Sequence, residues 1–274
     1  MFKIKNPFSL FLKMIVISSA VLTFGVLIFI MGHILVKGIP YLTPSLFSLK
    51  YTTQNVSMLP AIINTIIITL CSLLIAAPLG IFTSIYLVEY AKRGNKIVNL
   101  IRLTAETLSG IPSIVYGLFG LLFFVTYLGF GFSILAGAFT LSIMILPLII
   151  RTTEEALRSV PDSYREASYG LGAGRLRTVF SIVLPSAVPG ILAGIILSIG
   201  RIVGETAALI YTAGTVAELP SSLLSSGRTL SVHMYALSSE GLYTNQGYAT
   251  AVVLLILVLL INTLSAYIAR RLTS

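Results

Sequence analysis

The sequence predicts an all-α polytopic membrane protein with six transmembrane helices, and three observations carry that prediction. Of its 274 residues, 56% are hydrophobic and only 10% are charged, with a mean hydropathy of +0.99. Soluble domains carry about 25% charged residues, so this chain has too few to cover a globule of its size. The charges lie between long apolar runs, each near or above the roughly 20 residues that cross a bilayer. The basic residues also fall mostly on alternate inter-span segments, as the positive-inside rule requires of an even number of crossings. A net charge of +9 would suit nucleic acid if it were gathered on one face. Scattered between apolar runs, it argues for membrane topology instead, and no nucleic-acid partner is expected.

The elements follow in order. Residues 14–36 contain no Lys, Arg, Asp or Glu and form the first span. The run is longer than a signal-peptide core of roughly 7–15 residues and lacks a clear small-residue cleavage site, so it is expected to be retained. The second span covers 59–88, with Pro78 expected to kink it. Residues 107–150 are too many for one crossing. Tyr127-Leu128-Gly129-Phe130-Gly131 supplies the turn, because glycine tolerates turn backbone. That leaves a third span at 107–126 and a fourth at 132–150. The fifth runs over 186–211 and the sixth over 248–269. Fourteen basic residues then lie on the side that holds both termini and the 151–185 loop, against three on the other side. Both termini are therefore expected in the cytoplasm and the 212–247 segment outside. The chain divides into residues 1–56 (tail, first helix and external loop), a block over 57–269, and a tail at 270–274. Cys71 sits alone in an apolar run and reads as a small buried residue. His33 and His233 lack metal-ligand spacing, so no metal is expected.

Within the 151–185 loop, Pro161 suits the first turn of a helix and Asp162 complements its positive end. Gly170, Gly172 and Gly174 end it. Tyr164, Ala167, Ser168 and Leu171 share one face at helical spacing, with Arg165, Glu166 and Tyr169 on the other. A short amphipathic helix beside a membrane lies on lipid or fits a partner's groove, and a well-capped connector is the plain alternative. Glu166-Ala167-Ser168, three residues, Gly172, nine residues and then Ile182-Val183-Leu184-Pro185 resembles the EAA signature of bacterial ABC importer permeases. Ser168 stands where that family usually has Ala. The resemblance implies a type I ABC importer permease fold, with the loop as a coupling helix seated on an ATP-binding subunit. Tyr164, Glu166, Ala167, Ser168, Leu171, Gly172, Leu184 and Pro185 are the implied contact set. The chain has no GxxxxGK[ST] sequence, since Gly172-Ala173-Gly174-Arg175-Leu176-Arg177-Thr178 lacks the lysine and the spacing. ATP and Mg are therefore expected in the partner ATPase, with no cofactor here. No nucleophile–base or paired-carboxylate constellation appears, so no catalytic residue is expected.

Arg201 and Glu205 are the costly residues of the fifth span. A charged residue in a membrane helix costs at least about 2.5 kcal/mol on insertion scales and marks a pathway or a partner. Four apart, they would share a helix face. One reading is an ion pair that holds helices together. The other is an oxyanion gate, with the arginine fork matched to phosphate oxygens. Gly200-Arg201-Ile202-Val203-Gly204-Glu205-Thr206-Ala207-Ala208-Leu209 resembles the GR-x-x-GETAA segment of phosphate ABC importer permeases, the A-type subunit of the phosphate-specific transport system. Gly110-Ile111-Pro112-Ser113-Ile114-Val115-Tyr116-Gly117 is similar to that family's third-span segment. This resemblance implies a heterodimer with a C-type permease, two ATP-binding subunits and an external phosphate-binding protein, in a bacterial or archaeal cytoplasmic membrane. It also implies that Arg201 and Glu205 serve phosphate passage. Permeases for sulfate or molybdate share the EAA loop and are the nearest alternative. An ATP-independent channel or proton-coupled carrier is the alternative of another class. The pairs Gly190/Gly194 and Gly200/Gly204, and Gly117 beside Gly120, suit close helix packing in lipid, or a backbone-lined path.

Overall fold

The structure, a computed structural model, describes residues 7–92, 94–239 and 241–273. Every regular element among them is helical. Helix α1 (Pro7–Gly38) runs past its predicted span at both ends. Its most apolar stretch is buried by nothing in the chain, so in the assembled protein lipid or another subunit must cover it. Only its C-terminal end is held, where Gly38 lies against the Tyr248 backbone and the Val252 side chain.

Helix α2 (Leu59–Ile85) continues as a π-helical turn to Tyr90 and passes through Pro78 without ending. Helices α3 (Lys96–Ser109) and α4 (Ser113–Gly120, extended to Tyr127 by π-helical turns) replace the straight third span expected at 107–126. They meet at 103° around Gly110, Ile111 and Pro112. Pro112 explains the break, because the residue before a proline is pushed out of the helical region. The predicted turn is present, with Gly129 and Gly131 at φ of +69° and +63°.

Helix α5 (Ile134–Ser159) is the most buried of the spanning helices and lies at the centre. It extends nine residues beyond the expected end of the fourth span. Arg151–Glu155 and Glu154–Arg158 pair at i, i+4, which supports the helix after it leaves lipid. Most of the 151–185 loop is therefore helical. It comprises the end of α5, then α6 (Asp162–Gly170), and α7 (Arg175–Thr178), which runs through a π-helical turn at Val179–Val183 into α8 (Leu184–Val203). A short α9 (Ala207–Ile210), then α10 (Leu230–Ser239) and α11 (Thr244–Thr273) complete the chain. Five single helices are long and apolar enough to cross a membrane, and the bent α3–α4 pair makes the sixth candidate.

Hydroxyls join α2 to α5, where burial is deepest. Ser72 Oγ donates to the Ala138 carbonyl at 3.2 Å, Ser142 Oγ to Ser72 at 3.1 Å and Ser84 Oγ to Ile150 at 2.8 Å. In lipid such bonds are a main source of helix association. Glycines let α8 approach α5: a methyl on Gly190 would meet Ala156, and one on Gly194 would meet Thr152. Gly117 and Gly120 of α4 do the same against Ala208, Thr140 and Thr212. Gly200 faces open space, so its GxxxG spacing marks no packing contact among the described residues. The 212–247 segment packs between the helices, with Leu230, Val232 and Leu237 buried and the Leu230 amide donating to Thr65 Oγ1 at 2.9 Å.

Candidate functional site

Two sites emerge, one around α6 and one where α3, α5 and α8 meet. At the first, Pro161 in an extended conformation starts α6, and Gly172 at φ +85° terminates the segment. Only glycine takes that backbone cheaply; another residue would cost roughly 1–2 kcal/mol. The four residues expected on one face separate. Tyr164, Ala167 and Leu171 are exposed, Leu171 at 91%, and Glu166 is exposed beside them. Ser168 turns inward instead, buried, with its Oγ 2.8 Å from Thr178 Oγ1. Its small hydroxyl is consumed within the chain, away from the exposed side of α6. Leu184 is half-buried against the core formed by α5 and α8, while Pro185 is exposed in the first turn of α8. Proline lacks the N–H that would continue the ladder, and the π-helical turn lies just before it.

Arg165, placed by spacing on the outer face, is the anchor of α6. Its side chain is 13% exposed and its Nη2 lies 2.7 Å from Glu89 Oε1, in the π-helical turn that ends α2. It also donates to the Val160 and Leu157 carbonyls at 2.8 and 2.9 Å, and to Asp162 at 3.2 Å. Long arginine side chains reach back across their own helix, so a wheel assigns them poorly. The signal available in the sequence was Glu89, an acid at the end of an apolar run.

At the second site, Arg201 lines a cavity of about 420 Å³ with Arg102, Arg151, Glu106 and Glu154. It is half-buried and makes no hydrogen bond or ion pair among the described residues. Arg102 and Arg158 both lie on Glu154 Oε1, at 2.7 and 2.6 Å. Glu205 is elsewhere. Helix α8 ends at Val203 with Gly204 as its cap, and Glu205 Oε1 accepts from the Ala208 amide at 3.1 Å, at the start of α9. The i, i+4 face requires an unbroken helix, and Gly204 breaks it. Arg201 and Glu205 therefore share no helix face and form no ion pair. Arg102, Arg151 and Glu154 were missed because their segments read as connectors.

The model for "Binding-protein-dependent transport system inner membrane component" matches residues 76–274. A Bacillus subtilis protein, "Probable ABC transporter permease protein YqgI", is 36% identical over 238 residues, 80% of this chain and 79% of that one. The "Phosphate transport system permease protein PstA" of Yersinia pestis is 34% identical over 266 residues, 93% and 88% of the two chains. The chain spans 40% of the length of the Mycoplasma pneumoniae PstA homolog. A chain of a bacterial alginate ABC transporter superposes with a TM-score of 0.71 at 17% identity, over 96% of this chain and 95% of that one, a likeness of fold.

Proposed function

The chain belongs to the family of binding-protein-dependent transport system inner membrane components, and from that premise we propose that it is the A-type permease subunit of an ATP-driven phosphate importer. It is a multi-pass membrane protein with the type I ABC importer permease fold. The reading rests on one observation above others. A half-buried Arg201 guanidinium faces a cavity with Arg102 and Arg151, and no carboxylate among the described residues forms an ion pair with it. Such a cation receives an oxyanion in transit, and its fork suits two phosphate oxygens. Glu106 and Glu154 keep the cavity from being a deep electrostatic trap, so a bound anion can leave.

In this reading the chain hydrolyses nothing. ATP and Mg are held by two partner ATPase subunits, whose closure pushes on α6. The spans then move as bodies to exchange outward for inward access. A C-type permease faces this chain, and an external phosphate-binding protein delivers the substrate. Both termini lie in the cytoplasm of a bacterial or archaeal cell. Uptake of labelled phosphate in cells carrying this transporter alone, with unlabelled phosphate, sulfate and molybdate as competitors, tests the substrate. Phosphate alone is expected to compete strongly. Strong sulfate uptake with none of phosphate would transfer the chain to a sulfate system.

A further inference from the structure

A second cavity, of about 650 Å³, opens at the cytoplasmic end between α2, α3, α5 and α6, and of its lining the transport reading uses Arg102 alone. Among the described residues five cations line it: Lys92, Arg102, Arg158, Arg165 and Arg175. Three of them are held by carboxylates already. Arg165 pairs with Glu89 and Asp162, while Arg102 and Arg158 share Glu154. Lys92 and Arg175 have no carboxylate partner among the described residues, and Arg175 lies 5.1 Å above the Tyr90 ring. Among the described residues, five cations against three carboxylates leave two positive charges in excess, which suits a phosphate mono- or dianion.

The position of α3 says where such a group would come from. It meets the following helix at 103°, so if that helix crosses the membrane, α3 lies nearly in the plane of its surface. Ile97, Leu100 and Leu103, all above 60% exposed, form its outer apolar edge. Val98, Asn99 and Arg102 of the same helix form the cavity wall. Apolar side chains at acyl-chain level beside cations at headgroup level are the signature of an interfacial helix.

We propose that this cavity is a phosphate-group site at the cytoplasmic membrane surface, filled by an anionic phospholipid headgroup or by free inorganic phosphate. Its occupant ties the linker after α2 to the start of α7 and braces α6 from the side. The test uses the full-length chain with the subunits that co-purify with it, in nanodiscs. Retention of phosphatidylglycerol is read by native mass spectrometry in mixed discs, and binding of labelled inorganic phosphate in phosphatidylcholine discs, both on an Arg201→Gln background. Replacing Lys92 and Arg175 together by Gln is expected to weaken one of these by about tenfold or more. The ligand that weakens is the source. Equal charge removal at Lys13 and Arg177, which do not line the cavity, is expected to leave both readouts unchanged. Binding that survives the Lys92/Arg175 change, falls equally with the control pair, or is absent for both ligands overturns the site. Phosphate import itself is read separately, so a failure here is distinct from a failure of the transport reading.

Discussion

A guanidinium in a membrane helix must be offset by something, and for Arg201 no protein carboxylate does so among the described residues. Arg201→Gln removes the fork and the charge. It is expected to lower phosphate uptake by about tenfold or more, the scale of one charged hydrogen bond, with unchanged protein in the membrane. Normal uptake in that variant would make Arg201 a structural residue. Glu205 separates cleanly from it. Because its Oε1 caps the Ala208 amide, Glu205→Gln keeps the acceptor and is expected to melt and transport like the parent. Glu205→Ala loses the cap and should cost about 1 kcal/mol in a detergent melt. A transport defect in the Gln variant would place Glu205 in the pathway with Arg201. His233, in the segment between the spanning helices, is fully buried, and desolvation with help from the nearby Arg228 lowers its pKa to about 3. The unfolded chain binds that proton at about 6.5 while the folded chain does not. Stability is therefore complete above about pH 6.5 and falls as pH drops towards 3, by about 2 kcal/mol at pH 5. Melts at pH 7.5 and 5 should converge for His233→Phe; an unchanged pH slope counts against this cause.

Among the elements, the α5–α8 seam is where sequence spacing and packing agree. Gly194 lies against Thr152, so even Gly194→Ala must push the seam apart, at roughly 1–3 kcal/mol. Gly200, with identical GxxxG spacing, faces open space, and Gly200→Ala is expected to be near neutral. Comparable losses of folded protein in both variants, read by fluorescence-detected size exclusion, would contradict this seam. The two glycine pairs look alike in the sequence because periodicity reports a face and not what stands opposite it. The same limit explains the rest. Apolar runs gave the spans and their number, since lipid imposes length. Helix ends were hidden wherever charged residues paired along the helix, as at Arg151–Arg158, or a glycine cut the face, as at Gly204. Pro112 turned an expected straight span into a near right angle. The α6 segment was legible from its glycines and its spacing, but Arg165 and Ser168, expected on opposite faces, both turn inward, because a wheel places Cα atoms and the side-chain tips lie elsewhere.

At the scale of the whole molecule, the proposed function asks how a push on a nine-residue helix would reach the Arg201 cavity. Helix α6 itself buries little beyond Ser168, so hydrophobic contact cannot carry the load. Arg165 can. It binds the end of α2 through Glu89 and the end of α5 through Leu157 and Val160, and α2 and α5 form the central hydroxyl-bonded pair. Movement of α6 must therefore drag both helices or break a largely buried ion pair. Breaking such a pair from one side costs about 3–5 kcal/mol, since it strands the other charge. Glu89→Gln and Arg165→Gln are each expected to leave ATP hydrolysis by the assembled transporter running while phosphate uptake falls several-fold, a loss of coupling. The double substitution strands no charge, so its expression and melt should recover towards the parent, while coupling stays poor because the link remains absent. A double variant that recovers uptake along with stability would show that the pair only holds the fold. Loss of ATP hydrolysis together with uptake would place Arg165 in subunit docking instead of in transmission.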